Sequence, residues 1–107
     1  MRGTSAIPAK QVEPIRNLTG PEIGPAVVNK TFQYTRANSS GFVTYHSDGT
    51  LDVQDDVKGA SKGTWTVAGD QYCETYVPAV APECGIFKYT GNAYFAANSR
   101  IVEMKNW

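Results

Sequence analysis

Three dipeptides, Asp48-Gly49, Gly69-Asp70 and Gly91-Asn92, constrain this chain more than any other feature. Each lies between short runs of alternating polar and apolar residues, and each suits a two-residue hairpin turn whose backbone needs positive φ. From Thr31 onward such turns and short loops separate eight runs: TFQYTR, FVTYH, TLDVQD, TWTVA, QYCETYV, CGIFKYT, AYFAA and IVEMKNW. Leu51 and Val53 alternate with Asp52 and Gln54, Trp65 and Val67 with Thr64 and Thr66, and Val102 and Met104 with Glu103 and Lys105. Such alternation marks antiparallel strands with one apolar and one wet face. DVKGASKG, between two of the runs, reads as a polar loop. The expected fold class is all-β: a single antiparallel up-and-down meander of about eight strands. Closing it, or nearly closing it, into a small barrel removes the exposed edges. A barrel of that size is either filled by side chains or holds one small ligand.

The N-terminal part differs. Residues 1–16 show no periodic pattern and include Pro8 and Pro14, so they are expected to form a flexible arm. Residues 17–107 are then a single β-barrel domain. Thr19 and Glu22 have capping-box spacing and Pro21 suits a first helical turn, while Gly24 and Pro25 limit the helix to one short turn. A chain of 107 residues, 41% of them hydrophobic, fits one domain with a modest core. Ten basic and ten acidic residues cancel, which argues against nucleic acid as a partner. No run of ~18 apolar residues is present, so no membrane span is expected. The start, MRGTSAIPAK, lacks the apolar core of a signal peptide and reads as a start codon before a mature exported sequence. Two cysteines and aromatic-rich strands point the same way, to a periplasmic or secreted protein.

Cys73 and Cys84 are the only cysteines and His46 the only histidine, too few soft ligands for a tetrahedral zinc site. Their spacing is far from Cys-x-x-Cys, and His46 lies two strands away. The simpler assignment is a disulfide across two neighbouring strands. It pins the loop between them, whose Val77, Pro78, Val80 and Pro82 form a stiff apolar contact loop. The acidic stretch holds Asp48, Asp52, Asp55 and Asp56, but it lacks the glycine and final glutamate of an EF-hand. It reads as a solvated edge, with Asp55 and Asp56 opening a loop. No metal and no cofactor are expected. Tyrosine pairs an apolar ring with a hydrogen-bonding tip. Tyr45, Tyr72, Tyr76, Tyr89 and Tyr94, with Trp65, are therefore the candidates for lining a ligand cavity. Three Asn-x-Ser/Thr triplets, at Asn17, Asn29 and Asn38, matter only in a eukaryotic secretory pathway, and a bacterial origin is expected.

The elements NKT at 29–31, Tyr45 to Thr50, Gly63 to Val67, Cys73 and Cys84 together resemble a family of small bacterial envelope proteins of unknown function. The resemblance covers about residues 17–105. It implies an exported lipocalin-like or avidin-like β-fold with no activity to carry over. The expected function is a non-enzymatic, exported binding module for a small apolar ligand or an envelope protein partner. The alternative is a small β-barrel protease inhibitor that acts through its N-terminal arm, and an enzyme built around His46 is a third reading.

Overall fold

The computed structural model describes residues 15–76 and 81–104. One antiparallel sheet of ten strands accounts for most of them. The strands are β1 (Arg16–Asn17), β2 (Thr31–Thr35), β3 (Ser40–Tyr45), β4 (Thr50–Asp55) and β5 (Gly59–Ala68), then β6 (Gln71–Tyr76), β7 (Glu83–Gly85), β8 (Phe87–Tyr89), β9 (Tyr94–Ala96) and β10 (Ser99–Glu103). Among the described residues one helix, α1 (Gly20–Val27), follows β1. In the sheet the order is β1-β8-β9-β10-β2-β3-β4-β5-β6-β7, and it curls into a half-barrel.

The strand count and the closure both differ from the expected eight-stranded barrel. All eight expected runs contain strand, but the run from Glu83 to Tyr89 breaks at Ile86 into two strands with different partners. β7 pairs with β6, whereas β8 pairs with β9 and with the added two-residue strand β1. The end strands β1 and β7 do not pair with each other, so the barrel is open. The segment after β1 occupies part of the gap. Leu18 donates its amide to the Phe87 carbonyl at 2.7 Å, and the Gly20 amide donates to Asp70 Oδ1 at 2.7 Å. Only glycine fits at position 20, since a Cβ there would stand 1.9 Å from the Gly69 carbonyl oxygen.

All three turn pairs place their glycine at positive φ: Gly49 at 89°, Gly69 at 61° and Gly91 at 103°. Gly69-Asp70 forms a two-residue hairpin with Ala68 opposite Gln71. Gly91-Asn92 forms another, across which the Thr90 amide donates to the Ala93 carbonyl at 2.9 Å, whereas Asp48-Gly49 belongs to the longer loop after Tyr45. The segment DVKGASKG is mostly strand rather than loop, because Gly59 turns the chain at φ 78° and β5 begins there. Helix α1 runs for two turns, past Pro25. Its capping box between Thr19 and Glu22 is present, and Pro25 lies on the exposed side. Proline at that position removes one backbone hydrogen bond, which the complete burial of Ile23 and Val27 offsets.

Strand direction sorts the connections onto two ends. Turns 46–49, 69–70 and 90–93 share one end with α1, while turns 36–39, 56–58 and 97–98, together with residues 81–82, share the other. Leu18, Ile23 and Val27 close the helix end of the core, whose middle is Phe32, Val43, Tyr45, Leu51, Tyr72, Phe87 and Ile101. β10 has the opposite phase from the one its apolar residues indicate. Ile101 stands opposite Tyr34 and Glu103 opposite Phe32, so Ser99, Ile101 and Glu103 take the inner face and Val102 the outer. Among the described residues no helix is long and apolar enough to cross a membrane.

Candidate ligand cavity at the open end of the half-barrel

At the end away from α1 the core gives way to a cavity of about 930 Å3. Its inner wall carries Tyr34 from β2, Val53 and Asp55 from β4, Ser61 from β5 and Tyr76 from β6. Arg36, Lys58, Glu83 and Asn98 stand at its rim. This volume falls within the range of small-molecule sites. Arg36 Nη2 reaches Glu83 Oε1 at 2.7 Å, an ion pair between residues 47 apart in sequence that ties β7 to the end of β2.

Two carboxyls are buried inside the half-barrel, and of these Asp55 lines the cavity. Asp55 closes the inward row Leu51-Val53-Asp55 and is 9% exposed. Its Oδ2 accepts the Tyr34 hydroxyl proton, and its Oδ1 accepts the amides of Val57 and Lys58 at 2.8 and 3.0 Å. The hydroxyl and those two amides hold the carboxyl at about 2, below the usual carboxylate range. Asp55 does stand where the strand gives way to the 56–58 turn, but its burial corrects the expectation of a solvated edge at this residue. Gly41 leaves room for the Tyr34 hydroxyl, which would lie 2.9 Å from a Cβ at that position.

Glu74 is buried more deeply, at 2% exposure. Tyr72 donates to its Oε1 at 2.7 Å and Tyr76 to its Oε2 at 2.6 Å. Because the Tyr72 proton points at Glu74, the 3.1 Å contact between the Tyr45 and Tyr72 hydroxyls has Tyr45 as donor. Burial raises the Glu74 carboxyl above its ordinary value, against the opposing pull of the Tyr76 and Tyr72 hydroxyls. Burial also raises the hydroxyls of Tyr45, Tyr72 and Tyr76, so each keeps its proton.

The aromatic candidates fall into two groups. Tyr45, Trp65, Tyr72, Tyr89 and Tyr94 join Phe32 and Phe87 in one tilted and edge-to-face cluster, with successive ring centroids 5.3 to 6.4 Å apart. Tyr45 and Tyr72 are fully buried there, and Trp65 donates its Nε1–H to the His46 carbonyl at 3.1 Å. Tyr76 alone of the six lines the cavity. Asp55, Glu74, Arg36 and Glu83 were not among the candidates. The sequence signal for Glu74 is its phase, since it shares one strand face with Tyr72 and Tyr76 while Cys73 and Thr75 take the other.

Cys73 and Cys84 form a disulfide directly across the β6–β7 pairing. Such a bond fits an oxidising extracellular compartment. Of the contact-loop residues, Pro82 is exposed beside the rim, while Val77, Pro78 and Val80 lie outside the described residues, as do residues 1–14 of the arm. His46 sits at the helix end, remote from the cavity in the strand order, with Nε2 2.8 Å from Asp52 Oδ2, and Lys62 reaches Asp52 Oδ1 at 2.7 Å. Among the described residues no group of His, Cys, Asp or Glu could hold a metal ion.

Comparisons with known proteins place no relative beside this chain: no family model, curated protein or solved structure matches it.

Proposed function

We propose that the chain is an exported, non-enzymatic binding protein that takes one small amphipathic molecule into the open end of its half-barrel. The observation that carries this reading is the 930 Å3 cavity, which joins apolar wall to a few convergent polar groups. The mixed lining of Val53, Tyr34, Tyr76, Asp55 and Ser61 favours an amphipathic ligand over a purely apolar one. A binding role is favoured over catalysis because both inner carboxyls are committed to hydrogen bonds within the fold, and His46 stands at the opposite end. The Cys73–Cys84 disulfide supports a periplasmic or secreted location.

The test is a fluorescence titration with the neutral probe N-phenyl-1-naphthylamine. Saturable enhancement at one site is expected, and Ser61→Trp, which fills the cavity from β5, abolishes it. Absence of saturable binding, or binding that Ser61→Trp leaves intact, contradicts the proposal.

A further inference from the structure

The polar groups of the cavity wall also define what they can receive, an inference that rests on the ligand-binding reading above. A tyrosine hydroxyl has one proton to give. At the inner wall the Tyr34 proton goes to Asp55 and the Tyr76 proton to Glu74. What remains on each hydroxyl is lone-pair density. Asp55 adds a carboxylate that accepts from the Tyr34 hydroxyl, the Val57 and Lys58 amides and Ser39, and that makes no ion pair among the described residues. Glu74, behind Tyr76, makes no ion pair among the described residues, although the Arg36 charge, paired with Glu83 at the rim, also favours its ionised form. Lys58 is at the rim too, exposed to water. The strand-borne wall is therefore rich in acceptors and carries the Asp55 charge, with Ser61 its uncommitted hydroxyl, while Arg36, Ser39, Lys58 and Asn98 place donors nearer the rim. Polar groups in such surroundings favour a partner that supplies donors and positive charge.

We infer that the cavity receives a small organic cation, a primary amine whose ammonium donates to Asp55 and the tyrosine oxygens while its apolar body lies against Val53 and the tyrosine rings. An ammonium brings three donors and no acceptor, an alcohol brings one donor, and a carboxylate brings only acceptors to a wall of acceptors. The predicted order of affinity is amine, then alcohol, then carboxylate.

Isothermal titration calorimetry of the full chain at pH 7 with 2-phenylethylamine, 2-phenylethanol and 3-phenylpropanoate tests the order. The amine is expected to bind about tenfold more tightly than the alcohol, the difference of one charge-assisted hydrogen bond. Asp55→Asn should erase that preference. Because Asp55 also holds the β4–β5 turn, Tyr76→Phe serves as the second variant and should weaken the amine more than the alcohol. If alcohol or carboxylate matches the amine, or if N-phenyl-1-naphthylamine binds and the amine does not, the cation assignment is overturned and the binding reading stands. If the naphthylamine and all three phenyl probes fail to bind, both are overturned.

Discussion

Removing the disulfide should cost this protein a large part of its stability, and the amount follows from where the bond lies. Cys73 and Cys84 stand 11 residues apart in sequence and opposite one another in the β6–β7 pairing. β7 is an end strand held by three residue pairs, so nothing on its other side in the sheet order replaces β6. Cys84 is exposed and Cys73 half-buried, so replacing both with alanine removes little packing and chiefly restores freedom to the unfolded chain. Closing a loop of this length is worth about 2.8 kcal/mol in the chain-entropy account. In a domain of this size that corresponds to a fall in Tm of roughly 10–20 °C. Urea denaturation of the Cys73→Ala/Cys84→Ala variant, followed by tryptophan fluorescence, measures the loss directly. Wild-type protein in dithiothreitol, with two free thiols confirmed by assay, should fall to the same midpoint. A loss under about 1 kcal/mol in both would mean that the unfolded chain is not freed by cutting this loop, and the chain-entropy origin of the stabilisation would be wrong.

The two inner carboxyls should push pH dependence in opposite directions. Asp55 is held at about 2, below its unfolded value, so its stabilising contribution is present above pH about 4 and is lost as pH falls towards 2. Glu74 is raised, so its contribution is present below the unfolded value and is lost as pH rises through the folded one. Glu74→Gln should therefore flatten the decline of the wild-type urea midpoint on the alkaline side of pH about 4.5, and an unchanged slope counts against the assignment. Ile23→Ala, in the buried face of α1, should cost roughly 2–5 kcal/mol in the same assay, and a cost below 1 would show that the helix does not close the core. Two glycine substitutions should differ in sign. Gly24→Ala meets nothing within 4 Å and should gain up to about 1 kcal/mol, whereas Gly41→Ala would place its Cβ 2.1 Å from the Gln54 carbonyl oxygen and should destabilise the β3–β4 pair.

Much of the sheet is legible in the sequence because its signals are local. Gly49, Gly69 and Gly91 need positive φ, the alternation of Leu51 to Gln54 and of Thr64 to Val67 has a single sensible phase, and the two cysteines fall on neighbouring strands. The missing parts depend on partners distant in sequence. Val102 and Met104 look like the inner residues of the last strand until register with β2 puts Ile101 beside Tyr34. The break at Ile86 appears only because residues on its two sides pair with β6 and β9. The candidate site was the least legible part for a related reason. Alternation assigns charged residues to water, yet Asp55 and Glu74 sit on the inner face, where the hydroxyls of Tyr34, Tyr72 and Tyr76 satisfy them. Those hydroxyls come from the same strand for Glu74 but from two strands away in the sheet for Asp55.

The most direct test of a ligand site at the open end is a proton–nitrogen correlation spectrum of the labelled protein titrated with 2-phenylethylamine. Saturable shifts are expected at the amides of Tyr34, Asp55, Ser61, Tyr76 and Glu83, with those of Ile23, Val27 and the 69–70 hairpin unmoved. Shifts confined to the helix end or to the outer face around Phe42, or none at all, would contradict it.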